Sequence, residues 1–103
     1  DKLLSLPETN RPDAVFTSSD EVASGVLERF LEKGKRVPED LAIMGFDNQP
    51  FTGMLAVPLT TIAQPVEALG QESTNWLIAR MEERDYQLDE SELVLNLIIR
   101  KSA

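Results

Sequence analysis

Past Asp20 the apolar residues Val22, Ala23, Val26, Leu27, Phe30 and Leu31 recur at the period of a helix buried along one side. Asp20 suits the N-cap of that helix, and Gly34 suits a left-handed stop. Lys33, Lys35 and Arg36 lie favourably at the negative end of the helix dipole. Before the helix, Ala14-Val15-Phe16-Thr17 is a short β-prone run closed by Ser18 and Ser19, and it predicts a buried strand. After it, Leu41-Ala42-Ile43-Met44-Gly45-Phe46 is apolar at every position. A run without polar alternation predicts a parallel strand covered on both faces. Strand, helix and strand thus follow at the spacing of a βαβ unit.

The rest of the chain continues the alternation. Residues 1–6 read as the tail of a helix, and Pro7, Asn10 and Pro12 punctuate a turn. Asp47-Asn48-Gln49-Pro50 leads to a short helical segment over 51–56. Leu59-Thr60-Thr61-Ile62 predicts a third strand, and Pro65 fits the first position of a second helix reaching about residue 84. Val66, Leu69, Ser73, Leu77 and Met81 mark one side of that helix, with Trp76 alongside, while Glu67, Glu72, Asn75, Glu82 and Glu83 mark the other. Residues 82–92 form an acidic, solvated loop, and 93–99 a last strand. The pattern predicts an α/β fold with a mostly parallel sheet flanked by helices. Four strands and two full helices make a lopsided core, so the chain reads as a fragment with pieces missing before residue 1.

Charge and composition then narrow the function. Eighteen acidic against ten basic residues leave a net charge of −8 over 103 residues, an acidic surface that repels phosphate backbones. The chain has no Cys and no His, which removes disulfides, thiol nucleophiles, imidazole bases and most zinc or copper sites. No apolar run approaches a membrane span, and Asp1-Lys2-Leu3 lacks a signal-peptide layout. Gly25, Gly34, Gly45, Gly53 and Gly70 show no phosphate-loop spacing. A phospho-receiver reading lacks the acidic pair that would have to precede Asp47.

Two polar clusters stand at predicted carboxyl ends of strands, where open parallel sheets collect ligands. Asp47 reads either as a turn residue bonded to its own backbone or as a carboxylate accepting adjacent hydroxyls of a polyol through charge-assisted bonds. Ser19 reads either as a residue before a helix cap or as a donor to a ligand at the helix entrance. Gln64 is either a connector or a two-way amide facing a cleft. Phe16 and Phe46 read as core, Trp76 as packing on its helix, and the acids at 39–40 and 82–83 as solvated charge.

The blocks Pro12-Asp13-Ala14-Val15-Phe16-Thr17-Ser18-Ser19-Asp20-Glu21-Val22-Ala23-Ser24-Gly25-Val26, Arg36-Val37-Pro38-Glu39-Asp40-Leu41-Ala42-Ile43-Met44-Gly45-Phe46-Asp47-Asn48 and Pro58-Leu59-Thr60-Thr61-Ile62-Ala63-Gln64-Pro65 occur in one order and spacing. Together with Leu69-Gly70 and the closing Leu97-Ile98-Ile99-Arg100-Lys101-Ser102, they resemble the LacI/GalR family of bacterial transcriptional regulators over nearly the whole chain. The resemblance implies a fragment of a periplasmic-binding-protein-like type I fold: two α/β subdomains joined by crossover strands, an effector in the cleft, and a helix-turn-helix headpiece upstream. Residues 1–64 would be the C-terminal subdomain, incomplete on its N-terminal side. Residues 65–90 would be a crossover helix and loop that pack on the absent N-terminal subdomain, leaving the Val66/Leu69/Leu77/Met81 stripe facing water or a neighbouring chain. Residues 91–103 would be the final strand, returning to the first subdomain.

The family's cleft acid maps onto Asp47 and its crossover residue onto Gln64. Its effector-contacting position before the helix maps onto Ser19, where many members carry Asn, so the effector geometry there departs from the pattern. Residues 49–57 match a stretch used in dimerisation, with Phe51, Met54 and Leu55 as a twofold apolar contact or, alternatively, a loop tucked onto its own subdomain. The resemblance implies the sensing and dimerisation portion of a sugar-responsive repressor, cytoplasmic and not an enzyme. It needs no cofactor and no metal, binds a sugar or sugar phosphate, and reaches operator DNA only through the headpiece. No membrane partner is expected. The alternative is a transport-linked sugar-binding protein of the same fold, which an upstream secretion signal would favour. A carbohydrate-active enzyme fragment is weaker, because the carboxylates form no acid/base pair.

Overall fold

A computed structural model describes residues 2–103, Glu8 by its backbone only. Asp1 of the expected helix tail lies outside the described residues. The helices are α1 (Lys2–Ser5), α2 (Asp20–Glu32) and α3 (Val66–Met81), and the strands β1 (Ala14–Phe16), β2 (Ala42–Met44), β3 (Thr61–Ala63) and β4 (Asn96–Ile98). Short 3-10 turns occupy Glu8–Asn10, Pro50–Met54 and Glu90–Glu92. The chain divides into two compact units, one holding the residues up to Ala63 with Leu97–Ala103, the other Gln64–Asn96.

In the first unit β1 and β2 are parallel, pairing Ala14 with Ala42, Val15 with Ile43 and Phe16 with Met44. β2 extends on its other side through parallel bridges from Met44 to Thr60 and from Asp47 to Ala63. The amides of Gly45 and Asp47 donate to the carbonyls of Thr60 and Ile62 at 2.9 and 2.8 Å. β3 pairs in turn with β4. Buried Ser102 ties the chain's end into this ladder, because its hydroxyl donates to the Ile43 carbonyl at 2.6 Å and accepts from the Thr60 amide at 2.8 Å.

The core forms where α2 meets β2. Ala23, Leu27 and Phe30 of the helix are buried in one cluster with Val37, Leu41, Ile43 and Leu59. Strand side chains alternate between faces, so only Val15 and Ile43 point with this cluster, while Ala14 and Phe16 are exposed and Ala42 and Met44 half-buried. The expectation of a buried strand over 14–17 therefore fails on one face of β1. The unbroken apolar run reports two apolar faces, but within this chain α2 packs on one of them.

The helix cap also differs from expectation. Ser19 is the N-cap of α2, its backbone extended and its hydroxyl accepting from the Val22 amide at 3.2 Å. Asp20 is the first helical residue, fully buried, and points inward instead. At the other end Gly34 takes the left-handed stop with φ +71°. In the loop to β2, Asp40 is more than solvated charge. It accepts from the Arg36 amide at 2.7 Å and from the guanidinium at 3.0 and 3.2 Å. These bonds, the guanidinium's first, hold its carboxyl well below its ordinary 3.8, at about 2.

The second unit is α3 with the segment folded back on it. Pro65 stands in the N-cap position, one residue before the first helical one. The Tyr86 hydroxyl donates to Glu72 at 3.1 Å, and the Asp89 amide donates to the same carboxylate at 3.0 Å, so the acidic stretch is anchored rather than free. Arg80 lies over the Trp76 ring at 5.8 Å, an i,i+4 cation–π contact on the helix surface. Ala79 is buried, whereas Val66, Leu69, Trp76, Leu77, Ile78 and Met81 are exposed.

Candidate functional site

Asp47 lies just past β2, at the carboxyl end of the parallel strands. Its φ is +119°, beyond the left-handed basin that Asn and Asp visit, and Asn48 follows at +58°. Such backbone costs on the order of 1–3 kcal/mol for an outlier like Asp47 and persists only where its surroundings fix it. Here they do so from several sides. The Asp47 amide donates to Ile62. The Asn48 amide donates to the Thr61 hydroxyl at 3.3 Å, and that hydroxyl donates to Asp20 Oδ1 at 2.6 Å. Asp20 Oδ2 accepts the Gln49 amide at 2.7 Å. Arg100 donates to Asn48 Oδ1 at 2.9 Å. Asp20, expected to cap the helix, instead sets the turn that presents Asp47.

Gly45 leaves room for this arrangement. A Cβ there would collide with Asp20 Oδ1 and lie 3.0 Å from Leu59 Cδ2 and 3.2 Å from the Asp20 Cα. The close passage of two backbones demands a residue without a side chain.

Ser19 and Asp47 are brought to neighbouring positions. The amide of Asp20, one residue after Ser19, donates to the carbonyl of Phe46, one residue before Asp47, at 3.1 Å. Both Ser19 and Asp47 are half-buried. Capping uses one acceptor position of the Ser19 hydroxyl, and the O–H is a separate donor. Gln64 directly follows β3 and opens the second unit, half-buried, with its carbonyl accepting from the Val66 amide at 2.9 Å.

Phe16 is not core. It is 62% exposed at the end of β1, its ring 6.5 Å from that of half-buried Phe46 and tilted by 39°. An exposed aromatic thus stands on the strand end next to the Ser19 and Asp47 positions. The sequence signal was its alternation with Val15: if Val15 faces the helix, Phe16 cannot. Of the apolar residues at 50–55, Met54 is 79% exposed, while Phe51 and Leu55 are half-buried and Leu55 packs partly against the core. The loop is tucked onto its own unit at Leu55 and presents Met54. Among the described residues no cluster of three acidic side chains could hold a metal ion. No helix among them is long and apolar enough to cross a membrane.

Comparison with known proteins places this geometry. The periplasmic binding protein-like domain model matches residues 1–103. The HTH-type transcriptional repressor PurR of Aliivibrio fischeri (strain MJ11) is 33% identical over 102 residues, covering 99% of this chain and 30% of that protein. A LacI family transcriptional regulator from Lactobacillus casei, solved with bound glucose, superposes with a TM-score of 0.83 at 44% identity, over 99% of this chain and 36% of that one. The lac repressor dimer, solved on operator with the anti-inducer ONPF, gives 0.77 at 31% identity, over 88% and 32% of the two chains. The chain spans 30% of the PurR repressor's length. It belongs to the periplasmic binding protein-like domain family, in the form that LacI-family transcriptional regulators carry.

Proposed function

We propose that this chain is the effector-sensing and dimerisation portion of a bacterial sugar-responsive transcriptional repressor, and that it performs no chemistry. The observation that carries the reading is the strained Asp47 turn, pinned by buried and partly buried hydrogen bonds at the carboxyl end of a parallel sheet. Backbone strain held in place by so many partners fits a side chain fixed for a ligand. Asp47 accepts adjacent hydroxyls of a carbohydrate, Ser19 donates to a ligand oxygen, and Phe16 offers an apolar plate to a sugar face. Gln64 contributes its amide at the entry to the crossover. The glucose held by the Lactobacillus casei regulator supports a sugar or sugar phosphate as the effector class.

Residues 1–64 and 91–103 then belong to one subdomain, and 65–90 to a crossover whose apolar side is covered in the intact protein. Phe51, Met54 and Leu55 serve a twofold contact centred on Met54. Effector binding favours one arrangement of the subdomains by its differential affinity for the two, typically about 1–3 kcal/mol of coupling. A helix-turn-helix outside these residues delivers that change to operator DNA, in the cytoplasm. The regulator's and repressors' names among the relatives favour this over a transport role.

A thermal-shift screen of sugars and sugar phosphates on the intact protein tests the reading. A ligand at a hundred times its Kd adds about 2.7 kcal/mol of stability. At least one sugar is expected to raise Tm, and a flat response to the whole panel speaks against a sugar sensor.

A further inference from the structure

Arg100 reaches from the last segment of the chain to two separate places. One guanidinium nitrogen donates to Thr52 Oγ1 and to the Leu59 carbonyl, both at 2.8 Å, and the other donates to Asn48 Oδ1 at 2.9 Å. Its own amide donates to Thr60 Oγ1 at 2.9 Å, which fixes the root of the side chain. Thr52 is fully buried within the 3-10 turn Pro50–Met54, where its hydroxyl donates to the Gln49 carbonyl at 2.7 Å. Asn48 is the second residue of the strained pair, with φ +58°.

We propose that Arg100 is a positioning residue that locks the Asp47–Asn48 turn in its strained conformation and joins it rigidly to the Pro50–Met54 turn. The proposal rests on the reading of Asp47 as an effector contact. Asp20 grips the turn at Thr61 and the Gln49 amide. Arg100 grips it separately, through the Asn48 side chain. Three acceptors at set positions need the planar fork of a guanidinium, and a lysine ammonium on a flexible stem cannot serve all three. Because one rigid group bonds both turns, a shift of the Asp47 turn is transmitted to the turn that presents Met54. Arg100 in this way links the sensing turn to the candidate dimer surface.

Amide hydrogen exchange on the intact protein without sugar tests this. Arg100→Lys is expected to accelerate exchange of the amides of Asp47, Asn48, Gln49 and Thr52 at least about tenfold, leaving the α2 amides from Ala23 to Glu32 within about twofold. Asn48→Gly removes the acceptor yet keeps a residue at ease with positive φ. It is expected to accelerate the same amides, and adding Arg100→Lys to it should give no further acceleration at Asp47 and Asn48. Unchanged exchange over 47–52, additive effects of the two substitutions, or equal acceleration in α2 would overturn the proposal. If Arg100→Lys does not fold, Asn48→Gly alone decides, with the same comparison to α2. No sugar enters the measurement, so it can fail while Asp47 still binds an effector, and the converse holds too.

Discussion

The hydroxyl of Thr61 donates to the carboxylate of Asp20 at 2.6 Å, and both side chains are fully buried. That bond joins β3 to the first turn of α2 and sets one wall of the Asp47 turn. Thr61→Val keeps the shape but removes the hydroxyl, leaving a buried carboxylate oxygen and the Asn48 amide short of a partner. An unsatisfied buried group costs about 1–3 kcal/mol. A loss of about 2–4 kcal/mol in urea unfolding is expected, and a loss below about 0.5 kcal/mol would show that water replaces the hydroxyl.

Gly45→Ala forces a methyl group against Asp20 and Leu59. Two of its three near neighbours belong to Asp20, one of them a backbone atom that cannot swing away. Overpacking of this kind costs about 1–3 kcal/mol, and the expected outcome is a lower urea midpoint with the Asp47 turn disturbed. A crystal structure of the variant superposing on the parent at Asp20, Gly45 and Asp47 would count against the close passage.

Asp40 ties stability to pH. Its folded carboxyl titrates at about 2 against an ordinary 3.8, so the folded chain favours the charged form. That contribution is fully present above about pH 4 and is lost as pH falls toward 2. Asp40→Asn removes it, so stability measured between pH 4 and pH 2 should fall less steeply in the variant. Equal slopes would mean that the Arg36 pairing dissolves in solution.

Phe16 separates binding from folding. Being exposed, it contributes little to the core, and Phe16→Ala should change stability by no more than about 0.5 kcal/mol. Loss of an aromatic plate is worth about 0.5–1.5 kcal/mol. A several-fold weaker Kd for the sugar found in the thermal screen is expected by calorimetry. Unchanged affinity would remove Phe16 from the site.

The sequence carried the order of the elements well, because periodicity and punctuation are local properties. The Val22-to-Leu31 stripe and Gly34 located α2 within a residue or two, and the stripe after Pro65 located the start of α3, while the expected helix ran three residues past its end at Met81. Position just past the strand ends was legible for Asp47 and Ser19 from the order of the elements. What escaped was side-chain direction. Asp20 looked like a cap because caps are chosen among the same few residue types, and only the paired strands reveal that its carboxylate serves Thr61 and Gln49. Arg100 is separated from Asn48 by 52 positions, a partnership that no local pattern encodes. Phe16 read as core because an apolar run does not say which of its faces stays open.

The most direct test of the account is calorimetric titration of the intact protein and its Asp47→Ala variant with the sugar identified in the thermal screen. Hydrogen bonds to a charged group contribute about 1.5–3 kcal/mol, so a Kd weakened by about tenfold to a hundredfold is expected, with α2 and the sheet intact by circular dichroism. Equal affinity in the two proteins would contradict it, leaving the strained turn without a ligand to hold.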